Sequence, residues 1–506
     1  MKTKRTILVL AMMLAAVSVA GNSGRFQRYD FEVKGNVTDL ITEDLDGDSL
    51  VDIIAIHTDS STDPPTRYLS VYYQKRAGKF NSSRDVLWEF PPAVAAVDVG
   101  DVSSDPGKEL VFITEEGIFY APLRSDGIGS MQKMFDIQSV VAIAYHQEVP
   151  YYNFVRDYTG NGRDDMVACG FYDATVFRQK EGYEWSSQKI NLRPDMRINS
   201  FDMNEIMDKK KDPFLRVSYR VPQLVARDYN GDGLVDLIAS FEDGFQIYGN
   251  KGETYTRDPV KKYSMELIPY EKGSRDRRRD NVNINYTDLD GDGRMDVLAN
   301  HINGQVTNLK SKTALFWGKS DNIEKGKPDI EFETEHPVMG SPLPMDVNKD
   351  GRKDLLLPTF NMSAWSVGKA IFTGDVHLQW AYFLQTPERS FNTKPDYVRT
   401  TGLKLSVTKF RMTSGLPNII GDFNGDGYPD LALGEKENLF KVTILDKQGH
   451  PTELVEEIQM PVSMINRVED FDSNGRSDLL IYYPQKPEYA SEFRVLINKG
   501  PWKMPE

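Results

Sequence analysis

The chain has 506 residues, a formal net charge of −14 and one cysteine, Cys169. A single cysteine excludes an intramolecular disulfide, and its apolar neighbours predict that Cys169 is an inert core residue. The acidic balance predicts that the chain has no nucleic-acid partner, because nucleic-acid binding requires a positive surface.

The first 20 residues predict a cleaved export signal. Lys2, Lys4 and Arg5 precede an apolar run from Ile7 to Val17, and Ala20 ends a short stretch of small residues. A membrane-anchoring helix is the alternative, which the shortness of the run disfavours. We expect residues 1–20 to be a signal peptide and residues 21–506 to form a mature chain that is secreted, periplasmic or on the cell surface. No later stretch is apolar enough to predict a transmembrane segment.

A nine-residue pattern with oxygen-bearing side chains at positions 1, 3, 5 and 9 occurs eight times, each time before a short apolar run. The copies, called loops 1 to 8, are residues 44–52, 101–109, 157–165, 228–236, 288–296, 346–354, 422–430 and 470–478. The expected ligands are Asp44, Asp46, Asp48 and Asp52; Asp101, Ser103, Asp105 and Glu109; Asp157, Thr159, Asn161 and Asp165; Asp228, Asn230, Asp232 and Asp236; Asp288, Asp290, Asp292 and Asp296; Asp346, Asn348, Asp350 and Asp354; Asp422, Asn424, Asp426 and Asp430; and Asp470, Asp472, Asn474 and Asp478.

This spacing is typical of calcium binding, because calcium takes six to eight oxygens and alternate residues of a tight loop turn their side chains inward. An EF-hand is excluded, since position 12 is apolar, as at Ala55 and Leu357, where an EF-hand has a bidentate glutamate. Loops 2 and 3 have the fewest carboxylates and are the weakest candidates. The alternative, that some loops are empty acidic turns, stays open. The cofactor prediction is therefore up to eight Ca²⁺ ions.

The repeat length predicts the architecture. Successive loops begin 48 to 76 residues apart, which leaves room for four strands in each unit. A second signature, Ile247 to Gly252 and again Val495 to Gly500, predicts a third strand that ends in a turn. From about residue 25 to 502 the chain resembles the FG-GAP and VCBS repeat family, which includes the calcium-binding propellers of integrin α-subunit heads. The resemblance implies an all-β, eight-bladed β-propeller, with seven blades as the alternative, whose calcium loops lie between the first and second strands of each blade.

Both ends of the chain are expected to share one blade. After loop 8 there is sequence for a second and a third strand only, whereas two strand-like segments precede loop 1. We predict that Phe26 to Val33 completes the eighth blade, because closure removes two exposed sheet edges.

The sequence gives few indications of catalysis, since it lacks the common hydrolase, metalloprotease and phosphate-loop motifs. We expect a non-catalytic binding or adhesion module, a monomer whose partner is an extracellular or periplasmic protein or glycan. The alternative is a calcium-dependent polysaccharide lyase or another glycan-active enzyme. Residues 186–222 and 359–410 interrupt the spacing, and we expect ligands to bind at the end of the ring opposite the loops, through aromatic residues such as Trp365 and Trp380.

Overall fold

The protein is a ring of eight blades, each an antiparallel sheet, in the residues that the structure describes. The structure is a computed structural model that describes residues 22–142, 144–199, 216–269, 281–305, 308–361, 363–406, 411–412 and 415–502. The predictions of an all-β class and an eight-bladed propeller are therefore confirmed, and the seven-bladed alternative is excluded.

Most blades have four strands, numbered here from the innermost outward. Blade 1 comprises Asn36–Glu43, Asp52–Asp59, Thr66–Tyr72 and Val86–Glu89. Blade 2 comprises Val94–Gly100, Glu109–Thr114, Gly117–Arg124 and the outer pieces Gly127–Ile128 and Gln132–Phe135. Blade 3 comprises Val155–Arg156, Asp165–Cys169, Ala174–Gln179 and Trp185–Ile190. Blade 4 comprises Gln223–Arg227, Asp236–Ser240, Gly244–Tyr248 and Lys261–Ser264.

Blades 5 to 8 repeat this order with two departures, a reduced inner strand in blade 7 and a shared blade 8. Blade 5 comprises Asn281–Thr287, Asp296–Gln305, Asn308–Phe316 and Ile330–Phe332. Blade 6 comprises Leu343–Met345, Asp354–Phe360, Asp375–Phe383, Tyr397–Ser406 and the edge piece Arg411–Met412. Blade 7 comprises Leu431–Lys436, Leu439–Leu445 and Pro451–Gln459, and its inner strand is reduced to one bridge, Asn418 to Ala432. Blade 8 comprises Ile465–Glu469, Asp478–Tyr482, Glu492–Asn498, Phe26–Glu32 and Asn22–Ser23.

The hydrophobic core lies between blades. Side chains of a strand point alternately to its two faces, so a strand that is covered on both faces is apolar throughout. In blade 1, Ile53 and Ala55 pack against blade 8, whereas Ile54 and Ile56 pack against blade 2. The eight core clusters among the described residues correspond to the eight interfaces between neighbouring blades. The ring is therefore closed by continuous packing.

The two ends of the chain share blade 8, as predicted. Phe26–Glu32 pairs antiparallel with Glu492–Asn498 over its whole length. The Phe31 ring stacks on Phe493 with centroids 4.6 Å apart. The closing strand thus contributes both main-chain pairing and buried aromatic contacts.

Two additions lie at the end of the ring opposite the loops: a hairpin of Asp195–Asn199 and Arg216–Arg220, and an α-helix, Ala364–Thr373. Short 3-10 turns occur at Glu181–Tyr183, Ile323–Lys325 and Pro487–Tyr489, and a small hairpin pairs Gln74–Arg76 with Lys79–Phe80. No helix among the described residues is long and apolar enough to cross a membrane.

The structure corrects the predictions that residues 359–410 form one insertion and that Trp380 is an exposed ligand-binding aromatic, whereas the side chain of Trp365 lies outside the described residues. Only the helix and its flanks are extra, because Asp375–Phe383 and Tyr397–Ser406 are the third and fourth strands of blade 6. Trp380 lies in a strand, 7% exposed, within the core cluster of blades 6 and 7. Cys169 is buried, as predicted. The predicted signal peptide, residues 1–20, lies outside the described residues.

Candidate metal loops

All eight loops connect the innermost strand of a blade to its second strand and therefore lie at the same end of the ring. In seven loops the residue at position 9 is the first residue of the second strand, as Asp52 and Asp296 are. In loop 7, Asp430 immediately precedes that strand. The predicted position of the loops within each blade is confirmed.

The carboxylate at position 1 organises the turn. In loop 5, Asp288 accepts hydrogen bonds from the backbone N–H groups of Gly291 at 2.7 Å and Gly293 at 3.0 Å. Both glycines have positive φ values of 75° and 83°, which bring their N–H groups toward that carboxylate. The first aspartates of loops 1, 3, 4, 6, 7 and 8 also each accept two or more loop N–H groups. This position is therefore a structural residue of the turn as well as a candidate ligand.

The carboxylate at position 9 anchors the loop to its blade. Asp296 is fully buried and accepts hydrogen bonds from the backbone N–H groups of Leu289 at 2.7 Å and Gly318 at 2.8 Å. Burial raises its pKa to about 7 and has the same effect on Asp52, Glu109, Asp430 and Asp478. A cation at the loop keeps such a carboxylate ionised, because the cation stabilises the charged form.

The side chains at positions 1, 3, 5 and 9 converge. Among the described residues, three loops place three carboxylate oxygens within 4.8 Å of one another: Asp44, Asp46 and Asp48; Asp288, Asp290 and Asp296; and Asp470, Asp472 and Asp478. These donors are all oxygens, the type that a hard divalent cation prefers. Lysines neutralise part of this charge, since Lys319 pairs with Asp290 and Lys499 lies 2.7 Å from Asp472.

Residues 288–357, which contain loops 5 and 6, match the family of FG-GAP-like repeats. The chain therefore contains an FG-GAP-like repeat within a β-propeller. Comparison with curated protein sequences gives no match.

Several solved structures resemble the fold of this propeller. A lectin from Agrocybe aegerita, described as recognising non-reducing terminal N-acetylglucosamine, is 14% identical, with 75% of this chain and 90% of the lectin covered and a TM-score of 0.39. The V. cholerae biofilm matrix protein Bap1 is 11% identical, with coverages of 95% and 92% and a TM-score of 0.41. The Dos1 propeller is 9% identical, with coverages of 95% and 99% and a TM-score of 0.42. No functional statement follows from similarities this distant.

Loop 2 departs from the geometry of the FG-GAP-like loops. The Asp101 carboxylate accepts a hydrogen bond from the Tyr183 hydroxyl at 2.9 Å. The Ser103 hydroxyl donates to Glu109 at 2.7 Å, and Pro106 occupies position 6, which is glycine in loop 5. Expected ligands of loop 2 are therefore already hydrogen-bonded, Ser103 to Glu109 within the loop and Asp101 to Tyr183 of blade 3.

Loop 3 keeps the turn, but two of its expected ligand side chains form hydrogen bonds with other protein groups. The Thr159 hydroxyl donates to Asp165 at 2.8 Å, and the Asn161 amide donates to the Gln179 carbonyl at 3.0 Å. Loops 2 and 3 were also the two weakest candidates by composition, and here they use ligand positions for hydrogen bonds.

A further set of residues was not predicted: amide side chains, at or just after the ends of third strands, that link neighbouring repeats. The Gln385 amide of blade 6 donates to the Leu289 carbonyl in loop 5 at 3.0 Å, and the Asn498 amide of blade 8 donates to the Phe423 carbonyl in loop 7 at 2.6 Å. Gln74 and Gln179 make equivalent bonds to loops 8 and 2. For Asn498 the signal in the sequence was the Asn-Lys-Gly turn, which predicted a hairpin but not the contact with loop 7.

Proposed function

We propose that this chain is a calcium-stabilised β-propeller that acts outside the cytoplasm as a non-catalytic binding module for a protein or glycan. The array of oxygen-lined loops at one end of the ring carries the proposal. The proposal of export depends on the sequence of residues 1–20. The proposal of calcium binding depends on the oxygen chemistry of the loop side chains and on their convergence.

In loop 5 the cation would be held by Asp288, Asp290, Asp292 and Asp296, with the carbonyl of Arg294 as a further oxygen. Bound calcium supplies two positive charges that offset the repulsion between these carboxylates. The chain's own contribution is preorganisation, because the backbone hydrogen bonds to Asp288 and Asp296 hold the loop open around a common point.

An exposed apolar patch supports a role in binding. Tyr172 is 77% exposed, and Met196 and Ile198 on the neighbouring hairpin are 56% and 55% exposed. Phe171 contacts Tyr219 of the same hairpin edge to face, with ring centroids 5.3 Å apart. Contiguous exposed apolar side chains are typical of interaction surfaces, and this patch lies at the end of the ring opposite the loops.

Chelation tests the metal part of the proposal. We expect a chelator to lower the melting temperature of the purified protein and millimolar calcium to restore it. Magnesium should not restore it, because magnesium demands a smaller octahedral site and releases its water reluctantly. At ten times the dissociation constant, each occupied site stabilises the fold by about 1.4 kcal/mol. A melting curve unaffected by chelation contradicts the proposal.

A screen of glycans and surface proteins tests the binding part. Incubation with uronate polysaccharides, followed by ultraviolet detection of unsaturated products, separates a binding module from a lyase. Product formation would exclude the non-catalytic role.

A further inference from the structure

A groove lies between blades 6 and 7, toward the loop end of the ring. It encloses about 620 Å³ between the fourth strand of blade 6 and the turn that joins the third and fourth strands of blade 7 at the loop end. The core cluster at this interface has seven buried side chains, against ten or more at each of the other interfaces in the described chain. The groove therefore occurs where the blades pack least completely.

Aromatic side chains form both walls of the groove. Tyr382 and Tyr397 of blade 6 are stacked, with ring centroids 4.5 Å apart and an interplanar angle of 20°. Tyr428 of loop 7 lines the other side, and Tyr397 and Tyr428 are both partly exposed. Partly exposed aromatic rings offer flat apolar faces with a polar hydroxyl at the edge.

The rim of the groove is positively charged. The Arg399 guanidinium lies 4.8 Å from the ring centroid of Tyr382, and the Lys447 ammonium lies 5.9 Å from that of Tyr428. Asp446, the acidic residue of the lining, already accepts hydrogen bonds from the backbone N–H groups of Gln448 and His450. In a chain with a net charge of −14, a groove with two cations at its rim selects an anionic ligand.

We propose that this groove binds an acidic saccharide, with a sugar ring against Tyr397 or Tyr428 and its carboxylate or sulfate near Arg399 and Lys447. This inference rests on the proposed function and names the ligand class and the site. The volume of the groove falls within the range of small-ligand pockets, about 300–1,000 Å³. A standard protein interface needs about 800 Å² of surface from each partner, which favours a saccharide over a folded protein.

Two metal loops contribute to the groove, since Asn348 of loop 6 and Tyr428 of loop 7 are among its lining residues. Ions that order loops 6 and 7 would therefore also fix the positions of these two lining residues. Because linkage is reciprocal, saccharide binding and calcium binding should strengthen each other.

Calorimetry with defined oligosaccharides tests the proposal. The probes are an oligogalacturonate, a sulfated oligosaccharide and a neutral glucan oligomer of equal length, each added in the presence of calcium. We expect at least one acidic oligomer to bind and the neutral oligomer to bind at least tenfold more weakly. Lys447→Gln and Arg399→Gln should each weaken that binding about tenfold, the usual effect of losing a hydrogen bond to a charged group. Lys251→Gln, in the corresponding turn of blade 4, should change nothing.

The two acidic probes distinguish a carboxylate ligand from a sulfate ligand. Equal binding of the neutral oligomer, unchanged binding by both groove variants, or binding of a peptide library at this groove in place of saccharides would each overturn the proposal. Lys447 is exposed, so its substitution leaves the fold intact even where Arg399→Gln lowers the melting temperature. If no oligosaccharide binds while chelation still lowers the melting temperature, this inference fails and the calcium-stabilised propeller stands.

Discussion

Replacing Asp48 by asparagine should change the stability of the protein in opposite directions with and without calcium. Asp48 is the exposed residue at position 5 of loop 1, and its carboxylate lies within 4.8 Å of those of Asp44 and Asp46. Its Oδ1 accepts the Leu50 N–H at 2.9 Å, a bond that an asparagine oxygen also accepts. The substitution therefore removes one negative charge from the candidate site and leaves a weaker, neutral oxygen ligand, while preserving the turn.

The magnitude follows from the geometry. At 4.8 Å, two like charges repel by about 3.5 kcal/mol at an effective dielectric of 20 and about 0.9 kcal/mol in water. Loop 1 is exposed, so the lower value applies, and relief of two repulsive pairs gives about 2 kcal/mol in the metal-free protein. With calcium present, a tenfold loss of calcium affinity at loop 1 lowers the free energy of unfolding by about 1.4 kcal/mol.

Thermal unfolding in chelator and in calcium measures both effects. For a chain of this length 1 kcal/mol corresponds to about 1 °C in melting temperature, so the effects are near 2 °C and of opposite sign. Asp126→Asn provides the control, because Asp126 is an exposed turn residue outside the loops and the substitution changes the charge equally. If both substitutions behave alike in both conditions, or if Asp48→Asn destabilises the chelated protein, loop 1 is not a metal site.

Two further predictions concern buried residues. His57 is fully buried, with Nδ1 donating to the Lys34 carbonyl at 2.7 Å and Nε2 accepting from the Ser70 hydroxyl at 2.9 Å, and burial lowers its pKa to about 4. Between about pH 4 and 6.5 the unfolded state, with a histidine pKa near 6.5, therefore binds more protons than the folded state. Acidification across that window lowers the free energy of unfolding by up to about 3 kcal/mol. His57→Gln should reduce the drop in melting temperature between pH 7 and about pH 4.5, and an unchanged drop would contradict this account. Trp380→Ala should cost about 3–5 kcal/mol in a denaturant titration, because Trp380 is only 7% exposed, whereas a surface ligand residue would cost little.

The features that could be predicted from the sequence are those that recur in each repeat with the same chemistry. The first residue of every loop except loop 2 accepts hydrogen bonds from the turn, and the ninth residue accepts hydrogen bonds from N–H groups of its own loop, so both positions recur in register and reveal the blades. Closure by Phe26–Glu32 was predictable because the last blade lacked a strand. Trp380 was misplaced because the helix Ala364–Thr373 lengthens the spacing before the third strand of blade 6, so a core strand looked like part of an insertion.

The groove between blades 6 and 7 could not be predicted from the sequence. Its walls come from the fourth strand of one blade and from a loop and a turn of the next, and they are adjacent only after the ring closes. The prediction that ligands bind at the end opposite the loops remains untested, and the exposed patch around Tyr172 lies there. The molecule thus presents an apolar surface at one end and a cationic groove at the other, which suit partners of different chemistry.

Contacts between neighbouring loops explain how ions bound at the loops would stabilise the ring as well as individual blades. The Lys108 N–H of loop 2 donates to the Leu45 carbonyl of loop 1 at 2.8 Å, and the Ser477 N–H of loop 8 donates to the Asp422 carbonyl of loop 7 at 2.7 Å. The Gln385 and Asn498 amides add bonds from one blade to the loop of the blade before it. Each loop is therefore held partly by its neighbour, so an ion that fixes one loop also fixes the acceptor carbonyls that the next blade uses. A chain with no possible intramolecular disulfide is in this way cross-linked between several neighbouring blades by short polar contacts to loops that the carboxylates at positions 1 and 9 organise.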